Sequence, residues 1–235
     1  MIGEIKKRIQ LTELIDQMGL KTGVEIGVDE GRFSEALLVN SKLEKLYSVD
    51  AWDIDFDRTM AVFRKWAVRH NKHEAKYETA RRRLAAFDER SVVVRKLSWD
   101  AVKDFGDGSL DFIYVDASHR FSGVARDLID WWPKLRMGGL FAGHDYWKSY
   151  RCEVMDAVNG FVVEKKQILH LTTDDKDWKG RNKYPPTFWL VKADRTKEQW
   201  KPDLAEAKAR LLANQRYLAR RRIQIVLPYQ YIDLT

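Results

Sequence analysis

Asp111-Phe112-Ile113-Tyr114-Val115-Asp116-Ala117-Ser118-His119 reads as an apolar strand that delivers a carboxylate and, three residues later, an imidazole at its tip. A second run, Gly139-Leu140-Phe141-Ala142-Gly143-His144-Asp145-Tyr146, ends the same way. In an open α/β sheet, ligands bind outside the carboxyl ends of the strands. Two strands tipped with Asp, His, His and Asp therefore predict a small polar site, with a metal ion among its candidate occupants.

Outward from these strands the chain alternates strand and helix. Strands are expected at 22–28, 45–49, 91–96, 110–115 and from 139 onward. Helices are expected at 4–18, 32–39, 58–87 (with a break near His70-Asn71), 100–105, 121–135 and 151–164. Met137-Gly138-Gly139 is the expected turn into the fifth strand. Such alternation argues for a largely parallel, doubly wound sheet. Two later strands, 167–172 and 187–192, are joined by a polar loop at 174–183 and predict an antiparallel hairpin at one edge. A last helix is expected at 203–222, and no repeat or interdomain linker interrupts the chain.

At 235 residues the chain fits one domain with decorations. Cys152 is the single cysteine, which excludes an intramolecular disulfide and suits a reducing compartment. The first ten residues carry no apolar signal-peptide core, and no apolar run approaches a membrane span. A soluble, cytoplasmic protein without membrane contact is expected. The net charge is +7, and it is unevenly placed. Residues 58–90 hold ten Lys/Arg against four Asp/Glu, and residues 195–222 hold nine against three. These basic stretches are either solvated helix faces or surfaces for anionic partners such as nucleic acid.

Glu25-Ile26-Gly27-Val28-Asp29-Glu30-Gly31 follows the first strand and precedes a helix, and Asp50 ends the second strand. The glycine spacing is not that of a dinucleotide fingerprint, and a carboxylate beside it repels a pyrophosphate. It suits a ligand with a cationic amine. A carboxylate at the second strand end can accept hydrogen bonds from both hydroxyls of a ribose.

On these residues the chain resembles the class I S-adenosylmethionine-dependent methyltransferases over 22–192. The resemblance implies a Rossmann-like, doubly wound, seven-stranded α/β sheet, mostly parallel with an antiparallel edge strand. A helical insertion at 57–90 and a C-terminal helix at 195–225 would decorate one domain spanning 1–235. It implies S-adenosylmethionine as cofactor, with Glu25, Ile26, Gly27 and Gly31 on its methionine side. Asp50 and Ala51 would hold the ribose, Trp52 would wall the pocket, Ser98 and Trp99 would meet the adenine, and Asp116 would border the donor.

The set Asp116-x-x-His119, Trp131-Trp132-Pro133 and Gly143-His144-Asp145-Tyr146 is more specific. It is similar to small-molecule O-methyltransferases of sugars and macrolides, and in layout to catechol O-methyltransferase. That likeness implies Mg²⁺ or another divalent ion on Asp116, His144 and Asp145, with His119 as the base near the acceptor hydroxyl. His144 departs from the pattern, since Mg²⁺ prefers oxygen ligands and imidazole suits zinc- and iron-group ions. It is then either a ligand, a second base or a substrate contact. His119 and Asp145 also fit plain capping roles.

Other residues read less sharply. Trp131 and Trp132 are expected to pack, and Cys152 to be buried. Tyr146, Trp147 and Tyr150 either wall an acceptor pocket or pack, and His70 and His73 read as surface residues of a helix. The expected acceptor is a small hydroxylated molecule such as a sugar-like natural product. A nucleic-acid or nucleotide acceptor, a non-catalytic partner subunit and a homodimer surface on the added helices remain open. Against a base-amine target, no Asn-Pro-Pro-Tyr or Asp-Pro-Pro-Tyr tetrapeptide is present.

Overall fold

The structure, a computed structural model, describes residues 5–52, 63–147, 149, 152–173, 185–196 and 198–200, with the backbone alone over 63–71. The expected helix at 203–222, the loop at 174–183, the first residues of the insertion and Tyr150 lie outside the described residues.

The strands are β1 (Thr22–Ile26), β2 (Lys45–Asp50), β3 (Ser91–Arg95), β4 (Leu110–Val115), β5 (Leu135–Gly143), β6 (His170–Leu171) and β7 (Phe188–Val191). They form one seven-stranded sheet in the order β3-β2-β1-β4-β5-β7-β6. All pairings from β3 across to β5 are parallel, and β7 runs antiparallel to both β5 and β6. The expected hairpin is thus present, with its later strand inserted between β5 and the edge. Strand order reverses between β1 and β4, which opens a crevice at their carboxyl ends.

The two-residue period of the strands divides the core between the two faces. Ile113 and Val115 of β4, with Val24 and Ile26 of β1, join a cluster under α5 (Phe121–Trp131) and α6 (Val154–Glu164). Phe112 and Tyr114 join the opposite cluster, with Leu11, Leu14 and Ile15 of α1 (Leu11–Gln17) and Leu37 and Leu38 of α2 (Arg32–Asn40). Glu25, one step from Val24 and Ile26, therefore points to the α2 side.

Local chemistry adjusts the expected boundaries. The break near His70-Asn71 does not occur: α3 runs unbroken from Phe63 to Leu84. The helix expected over 121–135 ends at Trp131, because Pro133 has no N–H to donate, and a short 3₁₀ turn (Trp132–Lys134) leads directly into β5. Met137-Gly138-Gly139 is not a turn before β5 but an irregularity inside it, where the register with β4 shifts between Leu110 and Phe112. The strand expected at 167–172 contracts, since Gln167 spends its side chain on the Lys165 and Ala193 carbonyls. The helix expected at 100–105 begins earlier, as α4 (Ser98–Ala101).

Trp131 is fully buried and Trp132 packs on Phe141 and Phe161, which are packing roles. Among the described residues no helix is long and apolar enough to cross a membrane.

Candidate active site

A cavity of about 590 Å³ opens at the carboxyl ends of β1, β2, β3 and β4. Of the residues expected to bind a cofactor, Ile26, Gly27, Asp50, Ala51, Ser98, Trp99 and Asp116 line it. Glu25, Gly31 and Trp52 are not on its wall.

Backbone geometry shapes the mouth. Gly27 has φ +92, and a Cβ there would lie 2.2 Å from the Asp116 carbonyl oxygen. Glycine at 27 thus lets the tips of β1 and β4 touch, in addition to any approach to a ligand. Asp50 organises the same loop. Its Oδ2 accepts hydrogen bonds from the Val28 and Asp29 amides at 2.8 and 2.9 Å, and its Oδ1 accepts one from the Trp52 amide at 2.9 Å. Oδ2 is filled by its two amides, whereas Oδ1 keeps lone-pair capacity for a ligand in the cavity that Asp50 lines. Trp52 itself is 2 % exposed and donates its indole N–H to the Asp29 carbonyl, so it props the loop from behind. Asp29, Trp52 and Asp145 all hold positive φ (52, 40 and 55), a concentration of backbone strain around one site.

Glu25 is buried behind the cavity. It accepts a hydrogen bond from the Ser34 hydroxyl, which in turn meets Ser48 Oγ at 2.8 Å. Burial pushes its carboxyl up to about 8, against the lowering effect of the Ser34 hydrogen bond.

The two strand tips do converge. Ligand-bearing atoms of Asp116, His144 and Asp145 all lie within 4.8 Å of one another. Asp145 Oδ2 accepts from His119 Nε2 at 2.5 Å, and Asp145 Oδ1 accepts from His144 Nδ1 at 3.0 Å. Burial alone would raise the Asp145 carboxyl, but the two imidazole hydrogen bonds hold it well below the usual carboxylate range. The same bond raises His119. Asp116 is raised by burial, which outweighs the nearby His144 and Arg8.

Arg8 was not expected here. It reaches Asp116 Oδ2 at 3.5 Å from the N-terminal segment and lies over the Phe33 ring. No local pattern announces such a long-range contact. The cavity wall also holds Ala117, Ser118, Arg120, Ser122, Gly123, Arg126 and Asp127. Asp127 carries a readable signal: with Val124, Leu128 and Trp131 it occupies the i, i+3, i+4, i+7 stripe of α5, where a carboxylate is out of place. Tyr146, a candidate acceptor wall, is 1 % exposed and donates its hydroxyl to Asn159, whereas Trp147 is 37 % exposed. Cys152 is buried as expected.

The donor set, two carboxylates and an imidazole, fits a divalent ion of the kind that tolerates nitrogen ligands.

Residues 24–146 match the family model described as a methyltransferase domain. No curated protein matches the chain. Among solved structures, the O-methyltransferase from Bacillus cereus in complex with SAH is 15 % identical, with a TM-score of 0.56 over 79 % of this chain and 80 % of that one. The O-methyltransferase TomG from Streptomyces achromogenes, involved in tomaymycin synthesis and in complex with SAM, is 14 % identical, with a TM-score of 0.54 over 79 % of each chain. Spermidine synthase from Thermotoga maritima is 13 % identical, with a TM-score of 0.50 over 83 % of this chain and 62 % of that one. At these identities the likeness is one of fold.

Proposed function

The chain belongs to the methyltransferase-domain family and is a class I S-adenosylmethionine-dependent methyltransferase; on that premise we propose that it methylates a hydroxyl of a small acceptor beside Asp116, His119, His144 and Asp145. The observation that carries this reading is the meeting of two carboxylates and two imidazoles at the rim of the cavity, joined to it through Asp116. The donor's ribose would lie on Asp50, its adenine by Ser98 and Trp99, and its sulfonium end by Gly27 and Asp116.

The donor is already activated, so the protein must position an alcohol and take its proton. In the transfer the acceptor oxygen bonds to the methyl carbon while the carbon–sulfur bond breaks. Sulfur leaves with the electron pair as a neutral thioether. In-line alignment supplies much of the rate. Asp145 fixes both imidazoles by binding Nε2–H of His119 and Nδ1–H of His144. In the neutral rings the lone pairs are then on His119 Nδ1 and His144 Nε2, either of which can accept the hydroxyl proton.

Asp116, His144 and Asp145 would hold a divalent ion, which when bound would lower the acceptor's pKa and orient it. Arg8, 3.5 Å from Asp116, would share that carboxylate or yield it.

A small acceptor is favoured over nucleic acid by where the basic charge goes. Within the basic segment Lys76, Arg81 and Arg83 pair with Asp29, Glu78 and Glu35, and the segment's Glu74 pairs with Arg95, so part of its described charge is compensated by the protein's own carboxylates.

The test is calorimetric titration with S-adenosylhomocysteine, with and without Mg²⁺ or Mn²⁺, on wild type and Asp50→Ala, followed by labelled methyl transfer to a panel of hydroxylated acceptors. Binding lost in the variant, and transfer lost in His119→Ala with binding intact, are expected. Absence of binding under every condition would point instead to a non-catalytic subunit.

A further inference from the structure

We infer that Arg8, Tyr114 and Thr187 form a carboxylate subsite beside the reacting centre, so that the acceptor is a hydroxy acid. Its hydroxyl would meet Asp116 and His144 while its carboxylate takes hydrogen bonds from these three side chains. The inference rests on the hydroxyl-methylating reading above and deepens it.

Strand register sets the place. Tyr114 of β4 is paired with Ala142 of β5, and Ala142 with Trp189 of β7. All three belong to the cluster on the α1 and α2 face. Ala142 is the smallest side chain of that row and stands between two large ones. Two residues further toward the β4 and β5 tips, the same alternation brings Asp116, His144 and Thr187 to this face. The row therefore adjoins the candidate metal ligands. It is separate from the cavity assigned to S-adenosylmethionine, whose wall includes none of Arg8, Tyr114, Thr187 and Trp189.

Three polar groups here lack a bond. The Tyr114 hydroxyl, the Thr187 hydroxyl and the Trp189 indole N–H are buried and make no hydrogen bond among the described residues. Orphaned polar atoms in a core are few and costly. Arg8 and Thr187 stand near enough to act on the Tyr114 phenol, yet neither is hydrogen-bonded to it. Donors that gather without bonding one another leave a place for a shared oxygen acceptor. With the Arg8 cation among them, the occupant is negative, and the guanidinium fork suits a carboxylate.

Arg8 is the outermost of the group. Its side chain is 37 % exposed and lies over Phe33, whose ring packs 4.4 Å from that of Tyr114. Its 3.5 Å contact with Asp116 is at the limit of a hydrogen bond, so Arg8 can turn to a substrate anion at little cost and uncover the hydroxyls beneath. Glu25, beside Tyr114 in the sheet, does not repel that anion, because burial raises its carboxyl to about 8.

The alternative is that buried water bridges these groups and the acceptor's charge is irrelevant. Calorimetric titration of the full chain, saturated with S-adenosylhomocysteine and Mn²⁺, separates the two. The probes are 2-hydroxybenzoate, 3,4-dihydroxybenzoate and glucuronate, each against its neutral amide. At least one acid is expected to bind more tightly than its amide, by about 10- to 100-fold. Tyr114→Phe removes one hydroxyl, keeps the ring and should cut that ratio about tenfold, and Arg8→Gln should cut it at least as far. Both variants should keep their affinity for S-adenosylhomocysteine, which also reports that they are folded. A preference that survives in both variants would be chelation by the ion alone and would overturn the inference. So would wild-type ratios near one, or no binding of any acid, results that need no variant to fold. If wild type does not bind S-adenosylhomocysteine, the methyltransferase reading itself fails and this inference with it.

Discussion

Asp145 Oδ2 and His119 Nε2 stand 2.5 Å apart, although 26 positions separate the two residues in the chain. The parallel pairing of β4 with β5 brings their carboxyl ends side by side. Asp145 is then the shared acceptor of two imidazoles, and His119 titrates above its ordinary value because of it.

Replacing Asp145 with Asn removes that charge. His119 should deprotonate at lower pH, so the rising limb of kcat against pH should move toward acid. The plateau should drop about 10- to 100-fold as the tautomer and orientation of both rings loosen. A pH–rate profile of the two proteins checks this, and an unmoved limb would count against His119 as the base.

Glu25 gives a stability prediction of definite sign. Its folded-state carboxyl titrates near 8, and its unfolded value is near 4.5. Between those values the folded chain holds a proton that the unfolded chain releases, so raising pH favours unfolding. Glu25→Gln should therefore match wild type near pH 4.5. The variant should gain progressively up to pH 8, by something on the order of a few kcal/mol, and stay level above that. Chemical denaturation of the ligand-free proteins at several pH values measures it.

Gly27→Ala should be among the most damaging small substitutions. Its Cβ would meet the Asp116 carbonyl at 2.2 Å, and its φ of +92 is unfavourable for alanine. A loss of about 2–4 kcal/mol of stability is expected by urea denaturation, with weaker S-adenosylhomocysteine binding in whatever remains folded.

Chelation should lower methyl transfer, and Mn²⁺ should restore it better than Mg²⁺, because one of the three candidate ligands is an imidazole. His144→Asp should shift that preference toward Mg²⁺. Activity untouched by chelator, with bound metal shown absent by elemental analysis, would leave the proton transfer to the imidazoles alone.

Part of this was legible in the chain. Alternating strand and helix patterns announced the doubly wound sheet, and the Asp/His tips marked the side chains that converge at its carboxyl edge. The readings that shifted involve contacts made at a distance. Trp52, expected as a pocket wall, lies in the core under the loop it supports. Arg8 reaches Asp116 across 108 positions. Asp127 was visible as a misplaced carboxylate on an apolar stripe, but only if that helix was read for its exceptions.

Residue order was enough to place side chains on strand tips and helix faces, because the periods of 2 and 3.6 are local properties of the backbone. Which tips become neighbours depends on strand order, and that is settled by crossovers packing on both faces of the sheet. The β1–β4 reversal, the slipped β4–β5 register and the depth at which Glu25 and Trp52 are buried belong to the tertiary structure alone. Hydrophobic burial acts on the whole core at once, and no window of sequence contains it.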